Sequence, residues 1–232
     1  MPAVTPVFIP GLLCTDYLFA HQRVQLGLDD RLADTLHHDS ITGMAEAALT
    51  SVDGPVVPIG LSMGGYVAME MARIAPERIA AMALLSTNCR ADTEVHREQR
   101  RAAIETSDHR GFQGVTRHLL PRLLSENARN DDILVDGVLE MAREIGRHVF
   151  VSQQKAIMNR VAQHETLAKF SAPLLVLCGQ LDILTPPELS VEMATLARQA
   201  ELHLLDDVGH LSSLEAPDVV TEALRKLLSQ VI

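Results

Sequence analysis

The chain has 232 residues, 30 Asp and Glu against 20 Lys and Arg, and a formal net charge of −10. Hydrophobic residues make up 47% of it, which is enough for a substantial core, and the length suits one large α/β domain or two small ones. The acidic balance argues against nucleic acid and against an anionic membrane surface as partners.

Targeting and redox signals are weak. The sequence contains no run of 18 apolar residues that would span a membrane. Residues 1–14 are apolar but contain no Lys or Arg, and Leu13 stands where a cleavage site needs a small residue, so we expect no export signal. Cys14, Cys89 and Cys178 are odd in number and widely spaced, which predicts reduced thiols in a cytoplasmic protein. A catalytic Cys14 is a weaker interpretation than a small buried hydrophobe.

Strand and helix patterns alternate along most of the chain. Short apolar runs predict strands at residues 4–10, 33–37, 54–59, 80–85, 173–178 and 202–205. Helical patterns cover part of 16–28, then 44–52, 66–75, 187–199 and 217–228. Strands separated by helices indicate a parallel sheet with right-handed crossovers.

The alternation stops between Asp92 and Lys169, where only helical patterns occur. The strands on either side must still be neighbours in one sheet, so the inserted block should lie on the core as a lid. We therefore predict an α/β core domain built from residues 1–92 and 169–232, and a helical cap built from residues 93–168.

The segment PIGLSMGGY, residues 58–66, places Ser62 between two glycines where a strand gives way to a helix. A strand that becomes a helix within about four residues forces tight dihedral angles, and Gly60 and Gly64 remove side chains that would collide. Ser62 should then project its hydroxyl above the sheet, with the N–H of Met63 facing the same space. The pattern predicts a nucleophile; the alternative is a glycine-rich turn with an incidental serine.

A serine nucleophile needs a base and an acid that orients the base, in the chain order Ser, acid, His. Asp182 follows the predicted strand ending at Cys178, and His210 follows the last predicted strand. Both loops lie at the carboxyl edge of a parallel sheet, where ligands and catalytic groups collect. We predict the triad Ser62, Asp182 and His210; the rival acids are Asp39, Asp92 and Asp207, of which Asp92 is the most serious.

The remaining histidines do not indicate a metal site. His37 and His38 are adjacent, so on a strand they would point to opposite faces, and no carboxylate–histidine cluster with ligand spacing accompanies them. Five further histidines lie among Arg and Glu on helical faces and are interpreted as surface residues: His96, His109, His118, His148 and His164.

These motifs make the chain resemble an α/β-hydrolase-fold serine hydrolase of the capped, esterase-like kind. The resemblance covers nearly the whole chain through PGLLC, GLSMGGYVAMEMARIAPERI, ALLSTNCRADT, QQKAIMNR, CGQLDILTPPELS and VGHLSSLEAPDVV. It implies a sheet of about six strands in the family order 4-3-5-6-7-8, with the cap inserted before the penultimate strand. It also implies an oxyanion hole formed by the backbone N–H groups of Leu12 and Met63, although the family's His-Gly is Pro10-Gly11 here.

The predicted reaction is hydrolysis of a carboxylic ester of a small acyl substrate through an acyl-enzyme, without a metal or an organic cofactor. Thioester, lactone and carbon–carbon hydrolysis use the same triad, and a triad-bearing ligand receptor is the alternative from another class. Substrate-binding residues are not predicted, and monomer and dimer both stay open. Basic residues at the start of the predicted cap favour a solvated helix face over a carboxylate-binding site: His96, Arg97, Arg100 and Arg101.

Overall fold

The computed structural model describes residues 3–109 and 111–232. Six strands form one sheet in the order β2-β1-β3-β4-β5-β6, and every neighbouring pair is parallel. The strands are β1 Thr5–Ile9, β2 Arg31–Leu32, β3 Val56–Leu61, β4 Met82–Leu85, β5 Leu174–Gly179 and β6 Ala200–Leu205. The predicted α/β class and the predicted strand order are confirmed.

The second strand lies two residues earlier than the sequence pattern predicts. Arg31 and Leu32 pair with β1 at the edge of the sheet, and both are exposed, so no apolar run marks them. Asp34, within the predicted strand 33–37, instead accepts hydrogen bonds from the backbone N–H groups of Leu36 and His37. This side-chain turn ends the strand.

Helices cover both faces of the sheet. They are α1 Ala20–Leu26, α2 Ile41–Thr50, α3 Met63–Ile74, α4 Glu94–His109, α5 Leu120–Leu123, α6 Asp132–Met158, α7 His164–Lys169, α8 Pro187–Leu196, α9 Ser212–Glu215 and α10 Pro217–Leu228. Side chains alternate along β4: Met82 and Leu84 pack with α2, α3 and α8, whereas Ala83 and Leu85 pack with α10. Strands buried on both faces explain why these runs are almost wholly apolar.

Between β4 and β5 the described residues form helices and turns but no strand. The longest of these helices, α6, is interrupted at Gly146, whose φ of 72° and ψ of 171° are not helical. Val135 and Met141 near its start pack in the cluster with α10, whereas Ala156 and Ile157 near its end pack in the cluster with α3. Helix α6 therefore joins the layers on opposite faces of the sheet. The cap boundaries 93–168 stay a prediction.

Candidate active site

Ser62 is the single residue between β3 and α3, and its backbone is strained. Its φ of 56° and ψ of −115° lie in a region that side-chain-bearing residues rarely adopt, at a cost of about 1–3 kcal/mol. The end of β4 and the loop that follows it hold this conformation. The Ser62 N–H donates to the Leu85 carbonyl at 3.0 Å, and the Ser62 carbonyl accepts from the Thr87 hydroxyl at 2.8 Å.

The two glycines of the motif are required by close backbone contacts. A Cβ at Gly60 would overlap the backbone of Gly64, and a Cβ at Gly64 would overlap the carbonyl of Ile9 at the end of β1. The turn is therefore as tight as the sequence predicts. It lies against the loop that follows β1.

His210 and Asp182 are joined by a hydrogen bond. His210 Nδ1 lies 2.8 Å from Asp182 Oδ2, and both residues are almost fully buried. Asp182 follows β5 and His210 follows β6; the two loops are tied by the Leu181 N–H, which donates to the Val208 carbonyl at 2.9 Å. Two of the three residues of the predicted triad thus meet at the edge of the sheet where Ser62 lies.

The environment of Asp182 keeps its carboxyl group ionised and fixed. Oδ1 accepts from the N–H groups of Leu184 and Thr185, each at 2.9 Å, and Oδ2 accepts from the Thr185 hydroxyl at 2.7 Å. Burial is the largest influence and raises the pKa of Asp182, but His210 and the hydrogen bonds from Thr185 outweigh it and hold that pKa below its usual value. An ionised carboxylate only accepts, so the imidazole proton is placed on Nδ1 and Nε2 is left as an acceptor. Sequence reasoning missed Thr185.

The histidine loop is anchored by the inserted helical segment. The N–H groups of His210 and Leu211 both donate to the carbonyl of Leu123, at 3.0 and 3.2 Å. Glu215 Oε2 accepts from the N–H groups of Gly209 and Ser125, at 3.0 and 2.8 Å. No local sequence signal marks the contacts of Leu123 and Ser125, because they join residues about 90 positions apart.

The predicted oxyanion-hole residues lie beside Ser62. A Cβ placed on Gly11 would be 3.5 Å from the Ser62 Cβ, so the loop after β1 reaches the turn. Within residues 3–109 and 111–232, neither the Leu12 N–H nor the Met63 N–H donates to a protein acceptor, so both are free for a ligand. Across the same ranges the Ser62 hydroxyl makes no hydrogen bond to His210, and that contact stays a prediction. Such contacts often tighten only when substrate binds.

Asp92, the main rival acid, is occupied elsewhere. Its carboxylate pairs with the Arg100 guanidinium, Nε to Oδ2 at 2.6 Å, and with Arg160, whose side chain is 5% exposed. Burial raises the pKa of Asp92, but the two arginines outweigh burial and hold that pKa below its usual value. The carboxylate is thus committed to two cations. The geometry favours Asp182 over Asp92 as the partner of His210.

One side-chain cluster in the described residues has the composition of a metal site. Ligand atoms of Cys89, His164 and Glu192 lie within 4.8 Å of one another. Glu192 is already paired with Arg90 at 2.8 Å and with His164 at 3.0 Å. Burial, followed by the Glu192 charge, raises the pKa of the Cys89 thiol to about 11, so the thiol carries its proton alongside these ion pairs. The ion pairs account for the cluster without a metal.

Two cavities in the described structure lie away from the turn. One of about 90 Å³ is lined by Tyr66, Glu70 and Arg160 among others, and one of about 120 Å³ lies between β5, β6 and α10. Ser62 and His210 line neither. Neither cavity marks a substrate pocket.

In the same described ranges, no helix is long and apolar enough to cross a membrane.

An all-parallel six-stranded sheet with a strained strand–serine–helix turn, and with an Asp–His pair at the same edge, defines a hydrolase of the α/β class. The chain belongs to the alpha/beta hydrolase family, whose model matches residues 7–223. The predicted fold and the predicted hydrolase activity are thereby confirmed.

Three similar proteins illustrate the range of the family. An esterase structure from Thermogutta terrifontis, with malate bound, is 27% identical with a TM-score of 0.90, over 99% of this chain and 90% of that one. The Mycobacterium tuberculosis (strain H37Rv) protein named "Putative non-heme bromoperoxidase BpoC" is 28% identical over 76% of this chain and 69% of its own. The pimeloyl-[acyl-carrier protein] methyl ester esterase of Klebsiella pneumoniae is 25% identical over 83% and 77%.

Proposed function

We propose that the chain is a serine hydrolase that cleaves the carboxylic ester bond of a small acyl substrate, with Ser62 as nucleophile, His210 as base and Asp182 as orienting acid. The observation that carries the proposal is the buried hydrogen bond between Asp182 and His210 beside the strained Ser62 turn. Strain of this kind persists where the surrounding structure enforces it, and it concentrates at functional sites.

In the proposed reaction, His210 Nε2 takes the proton of the Ser62 hydroxyl as the oxygen attacks the ester carbonyl carbon. The ionised Asp182 stabilises the imidazolium that results. The imidazolium then gives its proton to the departing alcohol, which leaves an acyl group on Ser62. Water, activated by the same imidazole, releases the acid and restores the hydroxyl. The cycle uses groups of the protein and water only.

The negative charge on the carbonyl oxygen would be held by the free N–H groups of Leu12 and Met63. The Met63 N–H stands at the N-terminus of α3, where the helix dipole adds to the stabilisation. Loss of one such donor costs about 2.7–4 kcal/mol of transition-state stabilisation in comparable sites.

Two relatives support an ester as the substrate class. The Thermogutta protein is named an esterase, and the Klebsiella protein a methyl ester esterase. At 27% and 25% identity they indicate the bond type and not the acyl group. Thioester, lactone and carbon–carbon hydrolysis, and a slow-turnover receptor, remain the competing functions.

We further propose that residues 93–168 act as the cap over Ser62. The Leu123 carbonyl, in this segment, accepts hydrogen bonds from the backbone of the histidine loop, and α6 joins the helix layers on the two faces of the sheet. Movement of these helices would admit an acyl chain to the buried edge of the sheet.

The experiment compares wild type, Ser62→Ala and a matched control, Ser86→Ala. Ser86 lies at the same sheet edge, directly after β4, and also has a positive φ of 44°. Each protein is treated with a fluorophosphonate probe and assayed on p-nitrophenyl esters, an acyl thioester and a lactone. We expect Ser62→Ala alone to lose covalent labelling and at least about 10³-fold in ester turnover. Persistent labelling of Ser62→Ala would contradict the proposed nucleophile, and thioester or lactone turnover above ester turnover would contradict the substrate class.

A further inference from the structure

A fully buried glutamine on α6 contacts the loop that follows β1. Gln153 is 0% exposed; its Oε1 accepts from the N–H of Leu13 at 3.0 Å, and its Nε2 donates to the carbonyl of Thr35 at 3.1 Å. The two contacts lie 140 and 118 residues away along the chain. One side chain from the inserted helical segment thus joins the loops that follow β1 and β2.

The orientation of the Gln153 amide is fixed by its partners. The Thr35 carbonyl only accepts, so the NH₂ group must face it, and the amide oxygen must then face Leu13. Leu13 is only 8% exposed, so without the Gln153 oxygen its N–H would be buried and unpaired. An unpaired buried N–H is unfavourable, so the loop would rearrange to satisfy it.

Leu13 itself is held in an uncommon conformation. Its φ is 60°, which a leucine adopts only when its surroundings enforce it. A turn formed by the Cys14 N–H and the Gly11 carbonyl, at 3.2 Å, supports it from within the loop. Gln153 supplies the contact from outside the loop. The residue before Leu13 is Leu12, whose N–H is free and is the proposed oxyanion donor.

We propose that Gln153 is a positioning residue for the oxyanion hole: it holds Leu13 so that the neighbouring Leu12 N–H faces the oxygen of the substrate carbonyl whose carbon Ser62 attacks. The inference rests on the proposed function. Because Gln153 belongs to α6, it also makes stabilisation of the transition state depend on where the cap helix lies. A shift in the position of α6 would act on the oxyanion through the side-chain amide of Gln153.

The test replaces Gln153 by Met, which has a similar length and volume but makes no comparable hydrogen bond. The matched control is Gln154→Met: Gln154 is the next residue on α6 and is 6% exposed, but it accepts from Arg100 Nη1 at 2.8 Å and not from the loop. A second variant, Gln153→Glu, keeps an oxygen that can accept from Leu13. All are assayed at a temperature at which circular dichroism shows them folded.

We expect Gln153→Met to lower kcat on a p-nitrophenyl ester by about 10- to 100-fold, short of the 10²–10³ for outright loss of a donor. KM should change by less than about threefold, because the contact matters in the transition state. Binding of an alkyl trifluoromethyl ketone, whose adduct with Ser62 carries the oxyanion, should weaken by the same factor as kcat/KM. Gln153→Glu should lose less than Gln153→Met, and Gln154→Met should stay within about threefold of wild type in kcat.

A Gln153→Met enzyme with wild-type kcat and ketone affinity, alongside an inactive Ser62→Ala, would overturn the inference and leave the proposed function intact. Equal losses in Gln153→Met and Gln154→Met would also overturn it, because they would show a general packing effect. Full activity of Ser62→Ala would instead overturn the proposed function on which the inference rests.

Discussion

Replacing Asp182 by Asn should invert the proton placement on His210. Two backbone N–H groups, of Leu184 and Thr185, face Oδ1 and will hold the oxygen of the new amide. The NH₂ group must then take the Oδ2 position, which faces His210 Nδ1 at 2.8 Å. A donor there selects the imidazole with its proton on Nε2, and that nitrogen can no longer accept the Ser62 proton.

The expected loss in kcat at neutral pH is about 10²–10⁴-fold, against about 10⁴ for the same change in a comparable triad. At 1.36 kcal/mol per tenfold this is about 2.7–5.4 kcal/mol of barrier. Asp92→Asn should instead lower the stability of the protein and leave kcat nearly unchanged. It leaves Arg160 buried with one charge unpaired, which costs about 3–5 kcal/mol of folding free energy. In a chain of this size that lowers Tm by about 6–20 °C.

The assay measures kcat on one good ester substrate and Tm by calorimetry for wild type, Asp182→Asn and Asp92→Asn. Folded Asp92→Asn should keep kcat within about tenfold of wild type, since its carboxylate contacts arginines and not His210. If Asp92→Asn lost kcat by 10²-fold or more while Asp182→Asn kept it, the acid would be Asp92 and the reasoning above would fail.

Three further outcomes follow from the strained serine, the thiols and the arginine-paired acid. Ser62→Gly should melt about 2–4 °C above Ser62→Ala, because glycine adopts a φ of 56° without the strain that alanine keeps; a lower Tm for the glycine variant, by calorimetry, would argue against stored strain. Iodoacetamide at pH 7.5 should label the native protein hardly at all and the denatured protein three times by mass spectrometry, because Cys14, Cys89 and Cys178 are all buried with raised pKa values; rapid native labelling at Cys14 would reopen the thiol as a nucleophile. The folded pKa of Asp92 lies below its unfolded value of about 3.9, so its contribution to stability is complete above that pH and is lost as pH falls through the folded pKa. The difference in Tm between wild type and Asp92→Asn should be constant from pH 8 to 5 and should narrow below about pH 3.9. A difference that widens on acidification would contradict the ion pairing.

Where a local rule controls an element, the sequence predicts it well. Helix α10 has the predicted bounds, because Pro217 starts it and Val220, Leu224 and Leu227 form a buried stripe. The turn at Ser62 follows from two glycines whose absent side chains are needed locally. The predicted position of β2, residues 33–37, is wrong because an exposed two-residue edge strand carries no apolar pattern.

Contacts between distant polar residues could not be predicted. Gln153 and Gln154 are adjacent on one helix, yet one contacts the β1 loop and the other Arg100. The sequence pattern predicts a solvated face for Arg100, but its side chain is only 23% exposed and its Nε lies 2.6 Å from Asp92 Oδ2. A buried polar side chain bonds to whatever the tertiary fold brings near it, and one sequence does not contain that information.

The long insertion between adjacent strands also bears on how the protein folds. Strand β4 ends at Leu85 and β5 begins at Leu174, yet the two pair residue by residue in the middle of the sheet. Closing a loop of about 90 residues costs only about 1 kcal/mol more than closing one of about 20, so the insertion has little effect on the free energy of unfolding. The insertion does affect the folding rate, because parallel pairing at such sequence separation is slow. Until β5 pairs with β4, the apolar edge of β4 is exposed and can pair with other chains. Refolding at low protein concentration, in which the inserted helices form early, should therefore recover more native protein than refolding at high concentration.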